Sequence, residues 1–410
     1  MTDNMTIGER VAFYRKRRGL PQEILAGFID RTADWLRKVE HNRIPLDRLS
    51  VIRRLALALD ISLGDLIGEP ALMKGTEESG NRAVSALRAA LTDHRQFLLA
   101  DAPPDEQVRL ALLAREIAVK WDDYQRSQYS RLTRRLPLLI TDAQTACQHY
   151  GTGSDNGLRA HRLLASVHQL ATVFLTKLDE AHVAFISATK GLTAAHASGS
   201  ELMIGSLYRS VAHALLSIGE YKQAVSLTRA ASDHLQPGLG VASPEYLSVY
   251  GMLHLVGALA ASRHGDRQDT TTFLAEAEES ARRLAHDANH LWTAFGPTNV
   301  AIHRVTAAIE LGDVQVAVDL GPRIDTTGLP IERRVRHAIE TARAFARYNH
   351  VDQALDLLLD AEHEAPEQVR YHRLSRRLVR DMLRHPRLPS RTIELAQRMG
   401  VHRTEPSDRP

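Results

Sequence analysis

A chain of 410 residues is too long for one compact helical domain and implies roughly two to four domains. Apolar content of 44% with 25% charged residues fits a globular chain. A single cysteine, Cys147, excludes an intramolecular disulfide framework and a cysteine zinc site. The net charge of +3 is unevenly spread: residues 5–54 hold twelve Lys/Arg against six Asp/Glu, and the remainder holds 40 against 43.

The first predicted helix carries Ile7, Val11 and Tyr14 on one face and ends in Arg15, Lys16, Arg17 and Arg18 before Gly19. Cations in a last turn suit the helix dipole, and glycine suits the exit. A second helix spans about Gln22 to Ile29, with Ile24, Leu25, Phe28 and Ile29 apolar. Asp30 and Arg31 make a turn, and Thr32 is a suitable N-cap for a third helix in which Leu36 and Val39 face the core. That leaves Ala33, Asp34, Arg37 and Lys38 exposed, with Trp35 at the flank. A fourth helix from about Asp47 to Leu59 carries Leu49, Ile52, Leu55 and Leu59, and Leu63, Leu66 and Ile67 close a five-helix bundle.

From Ile7 to Ile67 this pattern resembles the Cro/repressor-type helix-turn-helix family, also called the xenobiotic-response-element-like family. The resemblance is carried by Gly19-Leu20, Gln22-Glu23, Leu25-Ala26, Glu40 and the closing Leu-Ala-Leu-Ala-Leu-Asp-Ile-Ser-Leu-Gly-Asp-Leu run. Pro21 stands where the family places a capping Ser or Thr, Asp30 where it places Gly, and Arg31 where it places a small apolar residue. The resemblance implies a lambda-repressor-like, DNA-binding domain over 5–68 that inserts its third helix into the major groove of double-stranded DNA as a homodimer. Ala33, Asp34 and Lys38 then become base-edge readers: Lys38 toward guanine, Asp34 toward cytosine, Ala33 toward a thymine methyl. Gln22, Trp35, Arg37 and Arg43 become backbone contacts, and Thr32 belongs to the same surface. Two alternatives stay open. Asp34 pairs with Lys38, its i+4 neighbour, instead of reading a base, or Trp35 packs against the second helix.

Residues 69–81 read as a linker punctuated by Pro and Gly. A helical connecting and dimerisation region is expected over 82–157, with helices over Asn81 to Ala100 and Asp105 to Arg126 separated by Asp-Ala-Pro-Pro. Beyond Leu158 a pattern repeats. Asp179, Gly219, Gly265, Gly312 and Asn349 mark one turn position. Seven residues earlier stand Thr172, Ala212, Ala258, Val305 and Ala342. Five later stand Ala184, Ala224, Thr270, Ala317 and Ala354, and twelve later Gly191, Ala231, Ala277, Ile324 and Ala361. Small residues at fixed positions let paired helices approach closely. The repeats resemble tetratricopeptide repeats with intervals of 40, 46, 47 and 37, longer than the regular ~34. The expected fold is therefore all-α: the small head followed by a tetratricopeptide-like helical solenoid over 158–386, then a C-terminal tail over 387–410.

The whole layout resembles actinobacterial-type helix-turn-helix regulators with a tetratricopeptide-like sensor region. It is also similar in layout to the peptide-sensing regulators of Gram-positive bacteria. A solenoid offers a concave surface for an extended peptide, small molecule or protein. Candidate ligand-binding residues are Arg209, Tyr250, His254, Trp292, Asn299 and His303. Ordinary packing is the competing reading for each. Gly296-Pro297 is expected to bend the helix that carries Trp292, Phe295 and Asn299.

No Gly-rich phosphate loop, nucleophile elbow or His-Glu-x-x-His helix is present, so no enzyme activity and no cofactor are expected. His286 and His290 are spaced i, i+4, but no third ligand is evident and no metal site is expected. The first ten residues lack the apolar core of a signal peptide, and no run reaches 18 apolar residues. The expected location is the cytoplasm, at the nucleoid when DNA-bound, with no membrane partner. Two functions follow: a ligand-responsive transcription regulator, or a protein-interaction scaffold with a vestigial DNA-binding head.

Overall fold

A computed structural model describes residues 6–17, 20–46, 49–59, 77–92, 110–384 and 390–401. Among them are twenty α-helices and no β-strand. The chain divides into two compact units, Met1–Asn81 and Arg82–Pro410.

The first unit holds α1 (Ile7–Arg17), α2 (Gln22–Phe28), α3 (Ala33–Glu40) and α4 (Leu49–Leu59). Their apolar faces meet in a core of Val11, Leu25, Ile29, Leu36, Ile52 and Leu55, with Trp35 partly buried against it. The turn from α2 to α3 passes through Asp30 at φ 55°, a left-handed conformation that Asp tolerates better than most residues. Thr32 accepts a hydrogen bond from the Trp35 amide at 3.2 Å and so caps α3. Pro21 opens α2 without a side-chain cap. Leu63, Leu66 and Ile67, read as the closing fifth helix, lie outside the described residues, as does most of the 69–81 linker.

Helix α5 (Glu77–Leu91) starts inside the stretch read as linker, and the second unit begins within it at Arg82. Its Leu87 and Leu91 join α6 (Leu110–Gln125), α7 (Tyr129–Tyr150) and α8 (Asp155–Lys177) in one core. Helix pairs follow: α9 (Ala181–Ala197) after α8, then α10 (Glu201–Ile218) with α11 (Tyr221–Leu235). Next come α12 (Pro244–His264) with α13 (Arg267–Leu284), α14 (Pro297–Leu311) with α15 (Val314–Leu320), and α16 (Ile331–Arg347) with α17 (Val351–Glu364). Short α18 (Pro366–Tyr371), α19 (Arg373–Met382) and α20 (Ser390–Arg398) end the described chain.

All five sequence-marked turn residues have left-handed backbones: Asp179 at φ 66°, Gly219 at 87°, Gly265 at 85°, Gly312 at 88° and Asn349 at 65°. Each turn is closed by the same backbone bond, from the following residue's N–H back to a carbonyl in the last helical turn, at 2.8–3.0 Å. Examples are Glu220 to Leu215 and Asp313 to Ala308. Every flanking small position is buried except Ile324. The unit is a tetratricopeptide-like stack in which the first helix of each pair packs on the first helix of the next. The stack also meets itself, because α6 packs on α16 and α7 on α18. The stretch read as a C-terminal tail holds α20, whose Leu395 and Ala396 are buried with Leu358, Val379 and Met399. Thr392, Leu395, Ala396 and Met399, at i, i+3, i+4 and i+7, are the buried face of that segment. No helix among the described residues is long and apolar enough to cross a membrane.

Candidate functional site

The first helices of successive pairs deliver side chains to the interior at a constant register. Six residues before each turn stand Val173, His213, Leu259 and Thr306; two before stand Lys177, Ser217 and Arg263. All line a cavity of about 180 Å³. Residues separated by four share a helix face, so the register follows from stacking. The cavity is closed by Glu332, Arg333, Arg336 and Glu340 of α16 and by His372 and Arg373.

Charges dominate this interior. The Lys177 ammonium donates to Glu332, and both side chains are buried. Arg336 donates to Glu340 at 2.7 Å, and Arg373 to Asp179 at 2.8 Å. Arg263 donates to Glu310 at 3.2 Å. Burial alone would raise the Glu332 carboxyl, but the charges of Lys177, then Arg333 and Arg336, hold it down to about 2. Burial pushes His303 down to about 3, with Arg333 and Arg336 adding to it, so the ring is neutral and its Nδ1–H donates to the Asn299 carbonyl at 2.9 Å. His213 and His372 are pushed well below the usual range, by burial first and then by neighbouring cations.

A smaller cavity of about 30 Å³ adjoins the first, and Tyr124, Val173, Arg209, Glu332 and Arg333 line both. Its walls include Trp121 and Trp292, whose rings stack at 5.9 Å between centroids and 3° between planes. Trp292 sits in the 285–296 connection, where Leu291, Trp292 and Ala294 have φ of 48°, 60° and 48°. Non-glycine residues in this region carry backbone strain of order 1 kcal/mol each. The connection is held against α6 by a reciprocal amide pair, Gln125 Nε2 to Asn289 Oδ1 at 2.9 Å and Asn289 Nδ2 to Gln125 Oε1 at 2.8 Å.

Of the ligand candidates named from sequence, Arg209 and His303 line the main cavity and Trp292 the smaller one. Tyr250, His254 and Asn299 do not. The Ser232 hydroxyl lies 3.2 Å from Tyr250 Oη and 3.0 Å from His254 Nε2, inside the contact between α11 and α12. Asn299 is fully buried, donating to the Ala294 carbonyl at 2.9 Å. The expected bent helix at Gly296-Pro297 is instead an irregular connection, with Pro297 at the first position of α14, where a missing N–H costs nothing. Sequence reasoning missed Lys177, Glu332, Arg333 and Arg336.

In the first unit, Lys38 and Arg37 are exposed on α3 and both pair with Asp34, Lys38 at 2.8 Å. Ala33 is half-buried; Thr32 and Arg43 are exposed. Arg31 lies over the Trp35 ring at 5.5 Å. The Gln22 amide is turned inward and donates to Glu40 at 2.7 Å. Glu40 is buried and takes a two-pronged contact from Arg15 at 2.5 and 2.8 Å, while Arg15 also donates to the Leu20 carbonyl. This network clamps α1 to α3. From sequence, Arg15 stands only as a cation in the last turn of α1.

No family model matches the chain, and no curated protein matches it. Two solved structures show distant likeness. PlcR of Bacillus thuringiensis, in complex with the peptide PapR7 and DNA, is 10% identical with a TM-score of 0.33, covering 86% of this chain and 98% of its own. A Rap protein complexed with competence and sporulation factor is 14% identical with a TM-score of 0.45, covering 88% and 99%. Both scores lie below 0.5, so the description of the fold rests on this chain's own helix geometry.

Proposed function

We propose that the chain is a sequence-specific DNA-binding transcription regulator, acting as a homodimer, whose repeat unit senses a ligand in its charged cavity. The observation that carries the reading is α3, a capped helix rooted by Leu36 and Val39 that presents Asp34, Arg37 and Lys38 on a basic unit. In this reading Lys38 reads guanine in the major groove, Arg37 and Arg43 hold phosphates, and Gln22 stays committed to Glu40. A two-fold dimer would span half-sites about one helical turn apart. Selection of bound sequences from random DNA, with and without cell extract, tests it. A recovered palindromic site is the expected result. Recovery of nothing beyond salt-sensitive generic binding would remove the reading.

One observation favours a second reading, a protein-interaction scaffold. Asp34 already engages both Arg37 and Lys38, so the reading face is self-paired in the free protein. Lys38→Ala separates the two. A regulator loses about 1–3 kcal/mol at its selected site, whereas a scaffold captures its partner unchanged.

A further inference from the structure

We infer that Arg209 and Arg333 form the anchoring point for a compact oxyanion, a carboxylate or phosphate group on the ligand that the repeat cavity senses. The inference rests on reading this cavity as the sensor and adds the ligand's chemistry.

The charge balance of the cavity leads there. Glu332 is engaged by Lys177, Glu340 by Arg336 and Arg343, and Asp179 by Arg373. One guanidinium, that of Arg209, is left over, and that of Arg333 is only loosely held. Arg209 is 5% exposed; its Nε has no hydrogen-bond partner, and among the described residues no carboxylate lies within ion-pair distance of it. Arg333 is partly buried, and its ion pair with Glu332 is long, 4.0 Å from Nε. A folded chain keeps buried charges paired, because an unpaired one forfeits its hydration for nothing. Unpaired Arg209 and loosely paired Arg333 line the same two cavities and together are the complement of an anion.

The electrostatics agree. Burial, and then the charge of Arg333, pushes the Arg209 guanidinium down to about 10. An anion between the two would relieve both effects. Guanidinium presents a planar fork of N–H donors that matches carboxylate and phosphate oxygens better than it matches chloride. The space of about 180 Å³ admits a carboxylate or phosphate group and part of the molecule that carries it. The stacked Trp121 and Trp292 beside the arginines offer a flat apolar wall to the rest of the molecule.

The test uses the full-length protein. Its thermal unfolding is followed with millimolar inorganic phosphate, pyrophosphate or citrate, and with potassium chloride at matched ionic strength as the control. The expected result is a rise of about 3 °C or more in the repeat unit's midpoint with at least one oxyanion. Citrate acting alone identifies a carboxylate ligand; phosphate or pyrophosphate acting alone identifies a phosphate. Arg209→Met and Arg333→Met should each lose the shift. Without any anion, Arg209→Met should melt no lower than the parent, because it removes an uncompensated charge. Three outcomes overturn the inference: no oxyanion moves the parent beyond chloride, Arg209→Met keeps the shift, or Arg209→Met melts lower in the anion-free state. Failure of DNA selection sinks the regulator reading without altering these midpoints, so the two failures are distinguishable.

Discussion

Lys177 and Glu332 come from helices 155 residues apart and neutralise each other inside the repeat unit. Removing one partner leaves a buried charge. Lys177→Met is therefore expected to destabilise by about 3–5 kcal/mol, toward the lower end because Arg333 and Arg336 remain near Glu332. The double variant Lys177→Met/Glu332→Gln should recover part of that loss in urea denaturation. The buried histidines make a second residue-scale prediction. Burial pushes His168 and His303 down to about 3 from an ordinary 6.5. Between those values the unfolded chain binds protons that the folded chain refuses, so stability is full above pH 6.5 and falls as the pH drops. Each histidine contributes about 2 kcal/mol of loss between pH 7 and pH 5. His303→Gln should flatten the pH dependence of the unfolding free energy from urea titrations by that amount; an unchanged slope would show that the ring titrates freely.

At the scale of elements, close approach governs the stack. A Cβ on Gly251 of α12 would lie 2.0 Å from the Phe295 ring, which is fully buried and has no room to retreat. Gly251→Ala gains about 0.5–1 kcal/mol of helix propensity but overpacks the core at about 1–3 kcal/mol, so a net loss is expected in thermal unfolding. Deleting 385–410 removes α20 and uncovers Val379 and Met382, and the truncated chain should bind a hydrophobic dye where the full chain does not. Sequence made the turns legible because small residues and left-handed Gly, Asp or Asn recur at one register. The cavity face was only half legible. Arg209 lies ten residues before its turn and His254 eleven, a rotation of about 100° that separates cavity from helix contact. Every residue from Leu247 to Ser262 is buried, so α12 carries no polar face to betray its orientation. Lys177 and Arg333 escaped notice because a charged residue near a helix end looks solvated until the stack closes over it.

For the whole molecule, each unit has its own apolar core. Heating should give two transitions, with the smaller, less deeply cored unit melting first. Selected DNA should raise the lower transition alone and an oxyanion the upper one alone; a single merged transition would show the units to be one cooperative body. The meeting of α6 and α7 with α16 and α18 has a further consequence for synthesis. Ser127 donates to Gln368 at 2.5 Å across 241 residues of sequence. Until the last pairs leave the ribosome, on the order of tens of seconds later, Ser127 lacks Gln368 and Lys177 lacks Glu332. Most repeat stacks can assemble pair by pair as the chain grows, but here the final step joins the two ends of the unit. The nascent chain is thus most exposed to misassociation and chaperone capture just before α16 to α18 emerge, and slowing translation would lengthen that interval.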